Sequence, residues 1–258
     1  LEIQSEKEYE KYKKKAIMIL TTGKRPSPKK TFVVVGGQPG SGKTRLVSLA
    51  KNELESNAVI LDVIELMLMH PSYEYISKNC PERTYMFLHK DAKRLEKEMI
   101  TYLSDNGYNV INESTFRESN LIINKSEEFH NKGYHVDLKF MSVPKLESYG
   151  STFYRYAVAL LNGDDARWVE KYGHEDAYNN AINTVQELIR RGLIDVTNVY
   201  VRGENLPIKI YSSQERQFAS PTEAINYGRE IGRKKAVDDF KSKYDFVTKI
   251  LSEKQPEL

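Results

Sequence analysis

Residues 32–45 read Phe-Val-Val-Val-Gly-Gly-Gln-Pro-Gly-Ser-Gly-Lys-Thr-Arg, and this stretch decides the fold that the rest of the chain must fit. From Gly37 to Thr44 it matches the phosphate-loop pattern G-x-x-x-x-G-K-[ST] without a spare residue. A run of β-branched residues precedes the loop and a helical pattern follows from Lys43, which is the context that the motif requires. The sequence therefore predicts a nucleoside triphosphate site.

The residue types of this loop suit phosphate binding. Glycine permits backbone angles and a close approach that a Cβ would block, so successive N–H groups can turn toward phosphates at a helix N-terminus. Lys43 is placed for the β- and γ-phosphates, and the Thr44 hydroxyl is placed for Mg²⁺. The nucleotide contacts that we expect are Gly37, Gln38, Pro39, Gly40, Ser41, Gly42, Lys43, Thr44 and Arg45.

Length and composition favour one α/β domain over residues 1–258, since 40% of the residues are hydrophobic and supply a sizeable core. The 39 basic and 36 acidic residues nearly balance, and lysine runs such as 13–15 are interpreted as solvated faces. No nucleic-acid partner is expected, because no basic run is interleaved with aromatic residues.

A single cysteine, Cys80, cannot form an intramolecular disulfide, and no apolar stretch reaches the length of a membrane span. We therefore expect a cytoplasmic protein without a membrane partner. The five histidines lack metal-ligand spacing, so no zinc site is expected.

Strand patterns alternate with helix patterns along the chain, which predicts a mostly parallel sheet with helices on both faces. The predicted organisation is an N-terminal helix at 5–21, a phosphate-loop kinase-like core over about 31–215 and a C-terminal helical extension over about 220–252. Two short strands, 198–201 and 208–211, either form a hairpin or extend the sheet. Ligands of such sheets bind outside the carboxyl ends of the strands, where the loop, Asp62 and Glu113 are expected to gather.

The sequence resembles the zeta toxins of bacterial toxin–antitoxin systems, in collinear order from the N-terminal helix to about residue 225. The segments that carry the resemblance are Gly36–Thr44, His70–Pro71, Glu113–Arg117, Lys132–Tyr134, Arg155–Tyr156, Arg167, His174 and Tyr211–Ser213. The resemblance implies a Mg²⁺-dependent kinase that transfers the γ-phosphoryl group of ATP or GTP to a sugar hydroxyl of UDP-N-acetylglucosamine, which depletes a peptidoglycan precursor. It also implies inhibition by a small helical epsilon-type antitoxin.

Matched position by position, the resemblance gives Lys43 and Thr44 the phosphate and Mg²⁺ roles, and it gives Arg155 and Arg167 the role of arginines that reach the transferring phosphate. It places Glu113, Thr115 and Arg117 at the sugar nucleotide. Arginine suits this chemistry because its guanidinium stays charged and forks onto phosphate oxygens.

These side chains also have structural interpretations. Either arginine would otherwise be an exposed surface residue, and Glu113 would otherwise cap a helix or pair with Arg117. His70 and His174 are interpreted as packing or helix-terminus residues and not as acid–base groups, because neither has an obvious carboxylate partner in the sequence.

The chain departs from the family at the expected general base. The resemblance places that aspartate two residues after Asp62, where this chain has Ile64, and isoleucine cannot accept a proton. Asp62 or Glu65 substitutes as the base, or turnover is slow, or the chain binds ligands without turnover. An apolar residue at this position is also compatible with a different acceptor. Asp62 has a structural alternative too, since it would cap the following helix or hold Mg²⁺ through water.

Overall fold

The structure, a computed structural model, describes residues 5–80, 83–163, 168–215 and 217–254. Six strands form one sheet in the order β2-β3-β1-β4-β5-β6. The strands are β1 (Thr31–Gly36), β2 (Val59–Leu61), β3 (Val110–Ser114), β4 (His135–Met141), β5 (Val196–Val201) and β6 (Ile208–Ser212). β2 pairs with β3 and β4 with β5 in parallel, whereas β6 runs antiparallel to β5. The predicted α/β class with a mostly parallel sheet is confirmed.

Ten helices lie in the described ranges. They are α1 (Glu6–Thr21), α2 (Lys43–Glu53), α3 (Val63–Leu68), α4 (Tyr73–Asn79), α5 (Thr84–Asp105), α6 (Ser119–Asn131), α7 (Lys145–Asn162), α8 (Lys171–Arg190), α9 (Pro221–Glu230) and α10 (Arg233–Lys254). The short helices α3 and α4 lack the repeated apolar spacing that reveals a long amphipathic helix, so the sequence did not predict them separately.

Strand β1 is buried from Phe32 to Gly36, as expected for a strand covered on both faces. The two short strands near the end of the core satisfy both of the predicted alternatives. β5 and β6 form an antiparallel hairpin, and β6 thereby extends the sheet at its edge.

Contacts among the described residues divide the chain into two compact units. The first comprises Leu1–Val33, Ala50–Asn112 and Glu128–His135, and the second comprises Val34–Leu49, Glu113–Glu127 and Val136–Leu258. The assignment of residues 1–258 to a single domain stays a prediction.

In the first unit, α1 begins with the capping arrangement that its sequence predicts. The Ser5 side chain accepts a hydrogen bond from the Glu8 backbone N–H at 3.2 Å. Tyr9 and Tyr12 are buried, and the Tyr12 hydroxyl donates a hydrogen bond to the Leu66 carbonyl oxygen at 2.6 Å. The N-terminal helix is therefore tied to α3 by a hydrogen bond from a buried tyrosine.

In the second unit, α10 packs along α7 through a cluster formed by Ala157, Val247 and Ile250. The Lys243 Nζ also donates a hydrogen bond to the Ser151 Oγ at 3.1 Å. The C-terminal extension thus supports α7, which matters because α7 also contacts the phosphate loop. Within the described residues, the helices lack the combination of length and apolarity that a membrane span requires.

Candidate active site

The phosphate loop joins β1 to α2 and is packed against α7. Gly40 has a φ of 73°, and a Cβ at this position would collide with the Ser148 carbonyl oxygen. It would also approach the Thr152 methyl group to 2.9 Å. Glycine is therefore required here both by the left-handed backbone and by the nearness of α7.

Lys43 is nearly buried, with 5% of its side chain exposed, and is directed at the loop. Its Nζ donates a hydrogen bond to the Gln38 carbonyl oxygen at 3.1 Å and lies 3.7 Å from the Glu113 Oε1. The structure therefore brings together a residue predicted for nucleotide and a residue predicted for the acceptor. A lysine and a carboxylate at this distance attract each other, and a phosphate at the loop would compete for the same ammonium group.

A buried polar chain leads from the loop to α8. The Gln38 Nε2 donates hydrogen bonds to the Val143 carbonyl oxygen at 3.2 Å and to the Ser148 Oγ at 3.1 Å. The Ser148 Oγ in turn lies 2.9 Å from the His174 Nε2. Gln38, Ser148 and His174 are all fully buried. Sequence reasoning found Gln38 through the motif but gave Ser148 no role.

Burial lowers the pKa of His174 to about 4, and the positive charges of Lys145 and Lys43 act in the same direction, while Glu175 opposes them. The imidazole is therefore neutral at pH 7. A buried neutral ring is in keeping with the interpretation of His174 as a packing or helix-terminus residue and not as an acid–base group.

Arg202 directly follows β5 and was missed by the sequence reasoning. Its Nη2 donates a hydrogen bond to the Gly40 carbonyl oxygen at 2.6 Å, and its Nη1 lies 2.9 Å from the Glu147 Oε1. It also donates to the Ser151 Oγ at 3.2 Å. The rule that ligands bind at the carboxyl ends of strands is the signal that could have marked this residue.

Arg45, predicted as a nucleotide contact, reaches the loop that follows β5. Its Nη1 donates hydrogen bonds to the carbonyl oxygens of Gly203 at 3.3 Å and Glu204 at 3.1 Å. Arg202 and Arg45 therefore connect the β5–β6 loop to the phosphate loop and to α2.

Thr44 is exposed in the first turn of α2, so its hydroxyl is accessible to a ligand. Among the described residues, no group of three His, Cys, Asp or Glu side chains is placed to hold a metal ion. Mg²⁺ in nucleotide sites commonly uses one or two protein oxygens together with substrate phosphates and water. The residues present fit a Mg²⁺ ion that arrives with the nucleotide, with Thr44 as a protein ligand.

The end of β3 and the segment that follows it hold the side chains predicted for the acceptor. Glu113 and Thr115 are half-buried. Phe116, which precedes Arg117, is fully buried and has a φ of 58°. The Phe116 ring packs so closely on Gly36 that a Cβ there would lie 2.6 Å from it. A left-handed conformation at a bulky residue is strained, and such strain is common at functional sites.

Arg117 is oriented by α8. Its Nε donates a hydrogen bond to the Asp176 Oδ2 at 2.7 Å, and its guanidinium lies 5.7 Å from the centre of the Tyr172 ring. The Asp176 carboxylate raises the pKa of Arg117, which keeps the guanidinium charged. Sequence reasoning did not find this carboxylate partner.

Of the two arginines predicted to reach the transferring phosphate, Arg155 is exposed on α7. It follows Ser148 and Thr152 at helical spacings of seven and three residues, and so lies on the side of α7 that contacts the phosphate loop. Arg167 lies outside the described residues.

Asp62, in the first unit, caps α3. Its Oδ1 accepts a hydrogen bond from the Ile64 backbone N–H at 2.9 Å. The capping role that the sequence allowed for Asp62 is therefore observed. Ile64 itself is half-buried at the second position of the helix, and Glu65 is exposed.

His70, also in the first unit, is buried and pairs with a carboxylate that lies far from it in the sequence. Its Nε2 lies 3.3 Å from the Asp91 Oδ2, and its Nδ1 accepts a hydrogen bond from the Ser72 backbone N–H at 3.0 Å. The carboxylate partner is 21 residues away on α5, so local sequence could not reveal it.

Comparison with known proteins identifies the family. The family model "Zeta toxin" matches residues 17–215, which is most of the chain. The chain belongs to the zeta toxin family. A zeta toxin of Enterococcus hirae is 32% identical over 218 residues, covering 83% of this chain and 74% of the relative. The zeta toxins are phosphotransferases, and membership implies nucleotide binding.

Solved structures agree on the fold of this zeta toxin family member. The PezAT toxin–antitoxin system of Streptococcus pneumoniae includes a chain with a TM-score of 0.81 at 21% identity, covering 96% of this chain and 98% of that one. The AvrRxo1-ORF1:-ORF2 complex with ATP gives a TM-score of 0.52 at 13% identity, covering 80% of this chain and 66% of that one. At these identities, both comparisons concern the fold alone.

Proposed function

We propose that this zeta toxin family member is a kinase that transfers the γ-phosphoryl group of ATP or GTP to a sugar hydroxyl of UDP-N-acetylglucosamine. The observation that carries the proposal is the approach of Lys43 to Glu113, because it joins the phosphate loop to the segment expected to bind the acceptor. The product would block the use of a peptidoglycan precursor in the bacterial cytoplasm.

The nucleotide lies on the phosphate loop in this proposal. The loop N–H groups and the N-terminus of α2 face the phosphates, and the Lys43 ammonium group neutralises the β- and γ-phosphates. Thr44 would hold Mg²⁺, which supplies charge neutralisation of the phosphate oxygens when it is bound.

The acceptor lies beside Glu113, Thr115 and Arg117. Glu113 and Thr115 supply oxygen atoms that accept hydrogen bonds from sugar hydroxyls, and the fixed charge of Arg117 attracts the diphosphate of the sugar nucleotide. Arg155 and Arg167 stabilise the negative charge that is spread over the transferring phosphoryl group.

The acceptor hydroxyl must lose a proton, and Asp62 is the proposed group that receives it. Its capping bond engages Oδ1 and leaves a second carboxylate oxygen with further acceptor capacity. Ile64 at the expected base position favours a second candidate function, in which the protein binds nucleotide, sugar nucleotide or antitoxin with little turnover. A small helical epsilon-type antitoxin is the proposed protein partner, in keeping with the toxin–antitoxin setting of the PezAT structure.

The test is an assay of the purified protein with Mg²⁺, UDP-N-acetylglucosamine and either ATP or GTP, in which mass spectrometry detects the phosphorylated sugar nucleotide. Product that disappears in Lys43→Ala supports the kinase. Asp62→Asn is the informative second variant, because asparagine preserves the helix cap and removes the carboxylate. Loss of product in that variant assigns the proton acceptor to Asp62.

The same samples distinguish the second candidate. Nucleotide or sugar nucleotide that raises the melting temperature without product formation would identify a binding protein. If other sugars or nucleotides react while UDP-N-acetylglucosamine does not, the kinase has a different acceptor. If no product forms and no ligand raises the melting temperature, both candidate functions are refuted.

A further inference from the structure

We infer that Ser148 and His174 are positioning residues for the nucleotide: they hold the Gln38 side chain, and through it the phosphate loop, in the conformation that accepts a triphosphate. This inference rests on the proposed function, since it takes the loop to be the nucleotide site. It adds two residues of α7 and α8 that act on the nucleotide without touching it.

Gln38 links the inside of the loop to its surroundings. Its backbone carbonyl oxygen accepts the hydrogen bond of the Lys43 ammonium group, while its side-chain amide donates to Val143 and Ser148. The two side-chain hydrogen bonds anchor Gln38 at this point of the loop, and they thereby help to fix the backbone carbonyl that orients the lysine. The geometry of the phosphate-binding lysine thus depends on partners outside the motif.

The Ser148 hydroxyl has the hydrogen-bonding capacity to contact both the Gln38 amide and the His174 ring. A hydroxyl has one proton to donate and two lone pairs to accept. The Ser148 Oγ accepts from the Gln38 amide at 3.1 Å and donates to the Lys145 carbonyl oxygen at 3.0 Å. The Pro144 carbonyl oxygen at 3.3 Å is a second acceptor for its proton, and the His174 Nε2 lies 2.9 Å away as donor or acceptor.

The His174 ring is hydrogen-bonded at one nitrogen. The Nε2 pairs with the Ser148 hydroxyl, and which of the two groups donates depends on the tautomer of the neutral imidazole. The Nδ1 is buried without a hydrogen-bond partner in the part of the chain that the structure describes.

Two further buried polar atoms, both in the phosphate loop, lack a hydrogen-bond partner among the described residues. They are the Gln38 Oε1 and the Ser41 Oγ. A buried polar atom without a partner costs stability, and such atoms in a native protein call for a functional explanation. Such atoms also occur away from the loop, but three of them lie in the phosphate loop or in the polar chain that contacts it, which supports a role of this chain in the loop conformation.

The experiment measures the equilibrium affinity for ATP or GTP, with Mg²⁺, of the parent and of Ser148→Ala. Loss of the hydroxyl leaves the Gln38 amide with only one partner, and we expect the dissociation constant to rise about 5- to 100-fold. At saturating nucleotide and acceptor, kcat should change less than about threefold, and the KM for the acceptor should stay within about twofold.

Ser126→Ala is the matched control. Ser126 is also a fully buried helical serine, on α6, and its hydroxyl has no hydrogen-bond partner among the described residues. Its removal should leave the affinity for nucleotide unchanged. A general effect of removing a buried hydroxyl would appear in both variants, whereas positioning of the loop appears only in Ser148→Ala.

A pair of substitutions at His174 provides a second test that does not depend on Ser148→Ala folding. Glutamine can present an amide group that donates or accepts a hydrogen bond near the position of Nε2, whereas leucine fills a similar volume without a polar atom. We expect His174→Gln to bind nucleotide within about threefold of the parent and His174→Leu to bind like Ser148→Ala. A structural role predicts instead that affinity and melting temperature fall together in each variant.

The outcomes separate this inference from the proposed function. A parent protein that binds neither ATP nor GTP refutes both. A parent that binds nucleotide, while Ser148→Ala and His174→Leu bind it within about twofold of the parent, overturns the positioning roles and leaves the kinase proposal standing.

Discussion

The segments that follow β1 and β2 use their polar groups in opposite ways. After β1, Gln38 and Lys43 are nearly buried and are held by a network that extends to α7 and α8. After β2, the Asp62 carboxylate caps the next helix, and the residue two positions on is the apolar Ile64.

The segment after β1 is organised for nucleotide binding, whereas the segment after β2 is poorly equipped for proton transfer. The buried network after β1 prepares a phosphate site before any ligand arrives, and preorganisation of this kind supports both affinity and transition-state stabilisation. In the segment after β2, the Asp62 carboxylate already caps the helix, and the second carboxylate, Glu65, is exposed. We therefore expect nucleotide binding to be strong relative to turnover. Substitutions in the segment after β1 should change mainly binding, and substitutions in the segment after β2 should change mainly turnover.

The largest expected effect comes from restoring a carboxylate after β2. Ile64→Asp should raise kcat by up to about 10²- to 10⁴-fold, or about 3 to 5 kcal/mol, which is the usual contribution of a positioned general base. The fold should tolerate it, because Ile64 is half-buried in the first turn of α3, where an acidic residue is favourable. Single-turnover kinetics with UDP-N-acetylglucosamine measures the change.

Ile64→Asn is the control, since it matches the size of aspartate without its basicity. Equal rates in the aspartate and asparagine variants would show that proton removal does not limit the reaction. The apolar residue at position 64 would then not be the reason for slow turnover.

The second prediction concerns the dependence of the network after β1 on a neutral histidine. The unfolded chain binds a proton at His174 near pH 6.5, whereas the folded protein does so only near pH 4. Stability should therefore fall by up to about 3 kcal/mol as the pH drops from 6.5 to 4, and no further below that. The charged groups that act on this ring are Lys145, Lys43 and Glu175.

Urea unfolding at several pH values measures this loss, and His174→Leu should lack it. Burial also lowers the pKa of His70, which contributes with the same sign but is present in both proteins. The difference between parent and variant therefore isolates His174. Parallel pH profiles for the two proteins would show that this ring is not kept neutral by the fold.

The parts of the molecule that could be predicted from sequence are those set by neighbouring residues. The strand, glycine loop and helix around Lys43 form one contiguous motif, and the cap at Asp62 spans two residues. The contacts of Ser148 and Arg202 with the loop join residues 110 and 162 positions apart. A serine inside a helix and an arginine after a strand have many alternative partners, so only the packed fold selects among them.

The residues expected to bind the acceptor were likewise predictable only in part. Glu113 could be placed from the end of its strand, yet the orientation of Arg117 depends on Asp176, which is 59 residues further along the chain. His70 was interpreted without its partner Asp91 for the same reason. Sequence therefore located the elements of the candidate site, while the contacts that orient them required the structure.

The third prediction tests the outer support of the phosphate loop. Arg202→Gln removes the bonds to the Gly40 carbonyl oxygen and the Glu147 carboxylate, and should weaken nucleotide binding about 10-fold, or about 1.4 kcal/mol. The effect is modest because 26% of the Arg202 side chain is exposed and water can replace part of these contacts.

Isothermal titration with ATP measures this effect, and Arg190→Gln serves as the control. Arg190 also pairs with a glutamate, Glu187, but it lies at the exposed end of α8. If both variants bind ATP as the parent does, the contact between Arg202 and the loop is incidental to nucleotide binding.

The smallest effect concerns the carboxylate after β2 and decides what Asp62 does. Asp62→Ala removes the cap of α3 and should lower the free energy of unfolding by about 1 kcal/mol, while Asp62→Asn should stay within a few tenths of the parent. If both variants lose activity but only the alanine variant loses stability, the carboxylate has a chemical role beyond the cap. If activity falls only with stability, Asp62 is a structural residue, and its carboxylate is not the proton acceptor.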